Sequence, residues 1–290
     1  IMVHTHSSKA GILGRWAAFF ARVPISIHTI HGFAFHHHQP LYQWLPIYLI
    51  EALTSIVTSH FVCVSSYDAK KGISLFAGFE KKHTIIRAAI EEQQFFIGAR
   101  KMPFNAMSNT VIFGTVACFK KQKNLFDLLT AFANTHRHYG QARLEIIGDG
   151  ILRTDIEQWI TQHHLNHAIT LHGWQSTVAP IMRKWHAFAL SSLWEGLPCA
   201  IVEARMLNIP IISYDTGGIS DIITHNMNGL LCAQKDVAAL TRNMCKIIEQ
   251  PDLRIRLGDC QDRLHDFYTS TMIHEHKQLY AALLKNNSAT

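Results

Sequence analysis

Two rhythms of apolar residues alternate through the second half of the chain. Short apolar runs at 111–117, 144–147, 169–171, 187–190 and 209–214 read as buried strands, with Gly229-Leu230-Leu231 as a short last one. Between the first two, Leu125, Leu128, Leu129 and Phe132 stand at i, i+3, i+4 and i+7, one apolar stripe of a helix. Ile156 and Ile160 mark a second helix. Short strands alternating with amphipathic helices predict parallel βαβ units and an open doubly wound sheet. Ligands of such sheets sit beyond the carboxyl ends of the strands. Glycines and hydroxyl residues fall at those ends: Gly148-Asp149-Gly150, Gly173, Ser191-Ser192 and Thr216-Gly217-Gly218.

The first half is less regular. Ile1-Met2-Val3 reads as the end of a strand and His4-Thr5-His6 as the loop after it. Ser7 reads as a helix cap, with an Ala-rich helix over 9–22. A strand follows at 25–29, and the turn His31-Gly32 leads into an aromatic, His-rich loop. The apolar stretch 41–64 is broken by Glu51 and several hydroxyl residues, too polar for a membrane span, and predicts a buried or interfacial helix running into a strand at 61–64. Ser65-Ser66 then caps another helix. From Met102-Pro103 to Asn109 the chain is polar and irregular, which places a domain boundary there. The expected division is 1–107, 108–270 and a carboxyl-terminal helix at 271–290 that packs back towards the first domain.

Charged residues make up 17% of the chain, below the roughly 25% of an ordinary soluble domain, and the net charge is +6. That modest balance suits an anionic small ligand or membrane surface and is too scattered for nucleic acid. The six cysteines form no C-x-x-C pair, which fits a reducing cytoplasm. The 20 histidines, His36-His37-His38 among them, lack HExxH or paired ligand spacing, so no metal site is expected.

The chemistry concentrates in Ser191-Ser192-Leu193-Trp194-Glu195-Gly196-Leu197-Pro198, with Glu203 eight residues after Glu195. Glycine lets backbone approach a ligand, proline suits the first turn of a helix, and a helix start offers free N–H groups to an anion. Carboxylates on either side are acceptors for sugar and ribose hydroxyls.

This segment resembles the E-x7-E motif of the retaining glycosyltransferases of family 4, which have the GT-B fold of two facing Rossmann-like domains. Gly114-Thr115-Val116-Ala117 with Lys123, Ile147-Gly148-Asp149-Gly150 with Arg153, Leu171-His172-Gly173 and Asp215-Thr216-Gly217-Gly218 occur in the family's order. So do His28-Thr29-Ile30-His31-Gly32 and the opening His4 to Gly11, so the resemblance covers nearly the whole chain. It implies an α/β, GT-B protein that moves a hexose or N-acetylhexosamine from a nucleoside-diphosphate sugar, UDP favoured, to a glycan or lipid-linked acceptor. Glu195 would contact donor hydroxyls, Glu203 the ribose, and Lys123 the leaving diphosphate. Gly148, Asp149, Gly150, Gly196, Leu197 and Pro198 would line the nucleotide site. Cys118 stands where an arginine is commoner; Lys120, two residues on, either supplies that charge or points to solvent. His31 would reach the donor sugar across the closed cleft, and Lys9, beside Ser7 and Ser8, would meet a phosphate. No protein nucleophile and no metal or other cofactor are implied, the diphosphate itself assisting the acceptor. Residues 41–56 either dip into a membrane interface beside a lipid-linked acceptor or form a core helix. A cytoplasmic place at the inner face of the membrane follows. Only about 105 residues precede the boundary, against roughly 150–200 for such a domain, so the first strand and its glycine-rich loop are expected to be missing. A sugar-nucleotide epimerase and a non-catalytic sugar-nucleotide-binding scaffold are the competing readings.

Overall fold

The computed structural model describes residues 1–36, 38–96 and 110–288. In chain order it begins with β1 (Met2–His6), α1 (Ser8–Phe20), β2 (Ile25–Ile30), α2 (Leu41–Ile56), β3 (His60–Cys63), α3 (Ser66–Leu75) and β4 (His83–Ile85). A short α4 (Gln93–Phe96) precedes β5 (Ile112–Val116), α5 (Leu125–His138), β6 (Arg143–Ile147), α6 (Arg153–Gln162) and β7 (Ile169–Gly173). Then come α7 (Ala179–Met182), β8 (Ala187–Leu190), α8 (Cys199–Met206), β9 (Ile211–Tyr214), β10 (Gly229–Cys232), α9 (Val237–Glu249), α10 (Pro251–Asp259) and α11 (Thr269–Ser288). The chain forms two compact units, Ile1–Ala89 with His265–Thr290, and Ile90–Leu264. The boundary expected at 107/108, and His37 of the histidine run, lie outside the described residues.

The second unit holds a parallel sheet ordered β10-β9-β8-β5-β6-β7. Numbered from its own first strand this is 3-2-1-4-5-6 read from the far edge, the doubly wound order with a crevice where the winding reverses. That reversal lies between β5 and β8. The helical stripe is buried as its spacing demands: Leu125, Leu128, Leu129 and Phe132 are at most 1% exposed. They pack with Phe113 and Leu144 of the neighbouring strands in one core.

The first unit is a four-stranded parallel sheet, β1-β2-β3-β4. Here the structure corrects two readings. His4, Thr5 and His6 are strand rather than loop, pairing with Ile27, His28 and Thr29 of β2. Ser7 does precede α1, but its side chain makes no capping bond, and its φ of 59° turns it away from the capping geometry. Ser65, by contrast, accepts from the Asp68 N–H and caps α3. The helix α11 belongs to this unit, laying Met272, Leu279, Tyr280 and Leu283 against Ile25, Ile27, Val62 and Ile86.

Candidate active site

The loop after β5 and the loop after β8 meet at the winding reversal. After β5 the chain makes a 3₁₀ turn, Lys121–Lys123, and reverses at Asn124, whose φ of 47° is left-handed, before entering α5. Asparagine tolerates that conformation because its short amide bonds locally; here it donates to Asp127 Oδ2 at 2.6 Å. The end of β8 grips this turn: the Ser191 hydroxyl reaches the carbonyls of Lys123 (3.1 Å) and Asn124 (2.9 Å). Gln122 ties the same two loops, accepting from the Leu193 N–H through its backbone and donating from its side chain to the Trp194 carbonyl.

So held, Lys123 Nζ donates to Glu195 Oε1 at 2.5 Å. The Glu195 side chain is 7% exposed and that of Lys123 18%. A carboxylate so nearly desolvated needs a polar partner beside it, and the Lys123 ammonium holds it in place. The loop after β9 closes over the Glu195 backbone. Gly217 has φ 56°, and a Cβ there would stand 1.9 Å from the Glu195 carbonyl oxygen, so only glycine allows this approach. Thr216 Oγ1 and Gln234 Nε2 both donate to the Leu193 carbonyl, at 3.1 and 2.7 Å.

Glu203 lies one turn into α8, half-buried, and burial raises its carboxyl above the usual range. Pro198 sits one position earlier than its residue type predicts: it precedes the helix in extended conformation instead of occupying the first turn, and the chain bends at Gly196 on the way into α8. On the other side of β5, Gly148 has φ 129° and a Cβ would lie 2.0 Å from the Ala117 carbonyl oxygen. The loops after β5 and β6 therefore run backbone against backbone, joined by Phe119 N–H to the Asp149 carbonyl at 2.9 Å. The Asp149 carboxylate is taken up locally, by the Gly150 N–H at 2.8 Å and by Arg153 at 3.5 Å. Lys120 is exposed, one turn before Lys123.

The structure thus brings Lys123, Glu195 and the Gly217 loop together, with Glu203 one turn into α8 and the Gly148–Gly150 loop at the neighbouring strand end. The sequence reading missed Gln122, Ser191 as a loop clamp, and Gln234. Gln234 lies 18 residues beyond Thr216 with no motif around it, and only the parallel pairing of β9 with β10 makes them neighbours.

His31 belongs to the first unit, at the end of β2. Its Nε2 lies 3.0 Å from His6 Nδ1, and His6 stacks on His4, which bonds Tyr280 and Thr29. Loss of solvent first, and then His6, lowers the His31 pKa, so the ring is neutral at pH 7. Lys9 is exposed in the first turn of α1. Among the described residues no group of three or more His, Cys, Asp or Glu could hold a metal ion.

This cluster carries a pH signature. Burial first, and then neighbouring cations and imidazoles, lowers His28 to about 3 and His4 to about 4, below the unfolded value of about 6.5. The unfolded chain therefore binds protons that the folded one refuses, and stability falls as pH drops from about 6.5 towards 4. The urea midpoint is expected to be highest above pH 6.5 and to decline steadily below it. His28→Gln should flatten the slope; an unchanged slope would refute the assignment.

The chain matches the glycosyl transferases group 1 over residues 90–260. It is 27% identical over 299 residues to the UDP-Gal:alpha-D-GlcNAc-diphosphoundecaprenol alpha-1,3-galactosyltransferase of Escherichia coli, covering 98% of this chain and 76% of that protein. In three dimensions it resembles sucrose-phosphate synthase (tll1590) from Thermosynechococcus elongatus, with a TM-score of 0.84 at 19% identity over 98% of this chain and 74% of the other. It also resembles Anabaena Alr3699/HepE, solved with UDP-glucose, with a TM-score of 0.83 at 17% identity over 97% and 78% of the two chains. These likenesses establish the GT-B fold. With its doubly wound second unit and the match spanning that unit's strand ends, the chain belongs to the group 1 glycosyl transferases.

Proposed function

We propose that this glycosyltransferase moves a hexose or N-acetylhexosamine from a nucleoside diphosphate, UDP by preference, to a glycan or lipid-linked acceptor with retention of anomeric configuration. The observation that carries the reading is the Lys123–Glu195 pair at the winding reversal of the second sheet. An ammonium has three N–H bonds, so Lys123 can keep Glu195 on one and offer the others to the donor diphosphate. The charge on that diphosphate grows as the glycosidic bond breaks, so a fixed cation there favours the transition state over the ground state. Glu195 is the acceptor for donor sugar hydroxyls and Glu203 for those of the ribose. The backbone of Gly148–Gly150 lies along the nucleotide, and Gly196, Leu197 and Pro198 lead the N–H groups of α8 to the phosphates. Lys120, exposed beside Lys123, adds charge to the diphosphate. In the first unit the neutral His31 ring offers a hydrogen bond to a sugar hydroxyl. The reaction needs no metal, the lysine charge standing in its place. UDP is favoured because a curated relative uses UDP-Gal and a structural neighbour binds UDP-glucose. The same relative's acceptor is a diphosphoundecaprenol-linked sugar, which supports a lipid-linked acceptor at the inner membrane face.

Calorimetric titration with UDP, GDP and ADP in the presence of EDTA tests the donor half. UDP is expected to bind and Glu203→Ala to weaken it about tenfold, the worth of a lost hydrogen bond to a charged group. Tighter binding of GDP or ADP would displace UDP, and loss of binding in EDTA would sink the metal-free reading.

A further inference from the structure

One face of the first sheet ends in a row of rings. Side chains alternate along a strand, so His4 and His6 of β1 share a face with their register partners Ile27 and Thr29 of β2. Thr5, between them, points to the other face and meets His28 there. The helix α11 covers the first face: Leu279 and Leu283 pack with Ile25 and Ile27, and His276 and Tyr280, one turn apart, reach His4. His4 is held at both ring nitrogens, with Nδ1 2.6 Å from Tyr280 Oη and Nε2 2.7 Å from Thr29 Oγ1. His6 stacks on that fixed ring, centroids 4.6 Å apart and planes 23° apart. Its Nδ1 then meets His31 Nε2 at 3.0 Å, just past the end of β2.

This arrangement matters for His31. Both His6 and His31 are exposed, and exposed side chains change rotamer freely unless something holds them. Here a ring anchored at both nitrogens holds a second ring, and the second holds the third. Two neutral imidazoles at hydrogen-bond distance share one proton, so the contact fixes two properties of His31 at once. Its Nε2 is turned to His6, which leaves Nδ1 as the nitrogen facing outward, and the ring is confined to one tautomer. The His4–His6 contact is a stack of faces, so the row sets position and does not conduct protons.

We propose that His6 is a positioning residue for the transfer, fixing the orientation and tautomer of His31, with His4 and, from the carboxyl-terminal helix, Tyr280 holding His6 in turn. This rests on the reading of His31 as a contact of the donor sugar. Long-range proton–nitrogen NMR of the imidazoles tests the link with no donor present, the His31 signals being those lost in His31→Ala. In the unmodified chain the two ring nitrogens of His31 should show the well-separated shifts of one tautomer. In His6→Leu they should move towards each other as both tautomers are sampled, and in Tyr280→Phe in the same direction by less. His6→Asn, whose amide stands near the place of Nδ1, should restore the separation. Turnover is then read as UDP release from UDP-galactose, UDP-glucose or UDP-N-acetylglucosamine, whichever the unmodified chain uses fastest. His6→Leu should lower kcat about tenfold to a hundredfold with KM changed less than about threefold, and His6→Asn should recover to within about threefold. In the His31→Ala background His6→Leu should cost nothing further, whereas a merely structural loss would persist there. His31 shifts unmoved by His6→Leu overturn the proposal, as does a His6→Leu defect of equal size with and without His31. Unmoved shifts in Tyr280→Phe remove α11 from it. Full kcat in His6→Leu beside a defective His31→Ala overturns the proposal alone; full activity of His31→Ala refutes the donor contact itself, and the proposal with it.

Discussion

Glu195→Ala is expected to lower kcat about a hundredfold to a thousandfold while the protein stays folded. The carboxylate is the best-determined group of the strand-end site. Ser191 and Gln122 fix the loop carrying its partner Lys123, and Gly217 lets the β9 loop press on its own backbone. In the proposed function, removing it takes away the acceptor for the donor sugar, and it frees Lys123 from its fixed position. Glu195→Gln keeps the volume and should recover only a small part of the activity, because the amide carries no charge to pair with the ammonium. Lys123→Met should be comparably damaging. The double variant should lose little more than either single one, since the pair acts as a unit. Steady-state kinetics with UDP-sugar donors measures all four. Activity within about threefold of the unmodified enzyme in Glu195→Ala would remove this pair from the catalytic site.

Glu51→Leu is expected to destabilise the first unit by about 3–5 kcal/mol, a large part of the roughly 5–15 kcal/mol that holds an ordinary domain folded. Arg15 is inaccessible and makes three bonds, to the Gly11 carbonyl (2.9 Å), Thr58 Oγ1 (3.2 Å) and Glu51 Oε1 (2.7 Å). Burial pulls the Arg15 pKa down and Glu51 opposes it, so the carboxylate offsets the cost of holding the guanidinium charge away from water. Deleting Glu51 strands that charge inside the unit. Deleting both removes the problem, so Arg15→Met with Glu51→Leu should be more stable than either single variant. Urea unfolding followed by circular dichroism reads the order. A single substitution costing less than about 1 kcal/mol would mean that water reaches Arg15 once its partner is gone.

The pair also explains why the first unit is the harder half to read. In the second unit, spacing and burial agree: the stripe of α5 faces the core because apolar residues at helical spacing are buried there, and glycines at strand ends mark close backbone crossings. In α2 apolar residues at helical spacing line two sides: Trp44, Ile47, Tyr48 and Ala52 pack on the core, while Tyr42, Leu45, Leu49, Leu53 and Ile56 are exposed. A periodic apolar stripe says which residues share a face; it does not say which side that face takes. The sequence reading left 41–56 open between core and interface for that reason. The structure packs the Trp44 side on the core, and the Arg15–Glu51 contact, across 36 residues, turns another side of the helix towards α1. His4 and His6 were read as loop because histidine has no strong strand preference, and only pairing with β2 makes them strand.

By itself, then, the sequence determined the alternation of strands and helices in the second unit, the residue types at its strand ends and the E-x7-E spacing, because periodicity and glycine are local properties. Membership in the glycosyltransferases was legible there too, through motif order. Tertiary structure alone decided that β5 and β8 adjoin, which makes Lys123 and Glu195 partners across 72 residues. It also decided that Gly217 packs on the Glu195 backbone and which of the apolar residues of α1 and α2 face the core and which face solvent. Each of these depends on sheet order or helix orientation. Both are set by long-range packing energy, which no window of neighbouring residues contains.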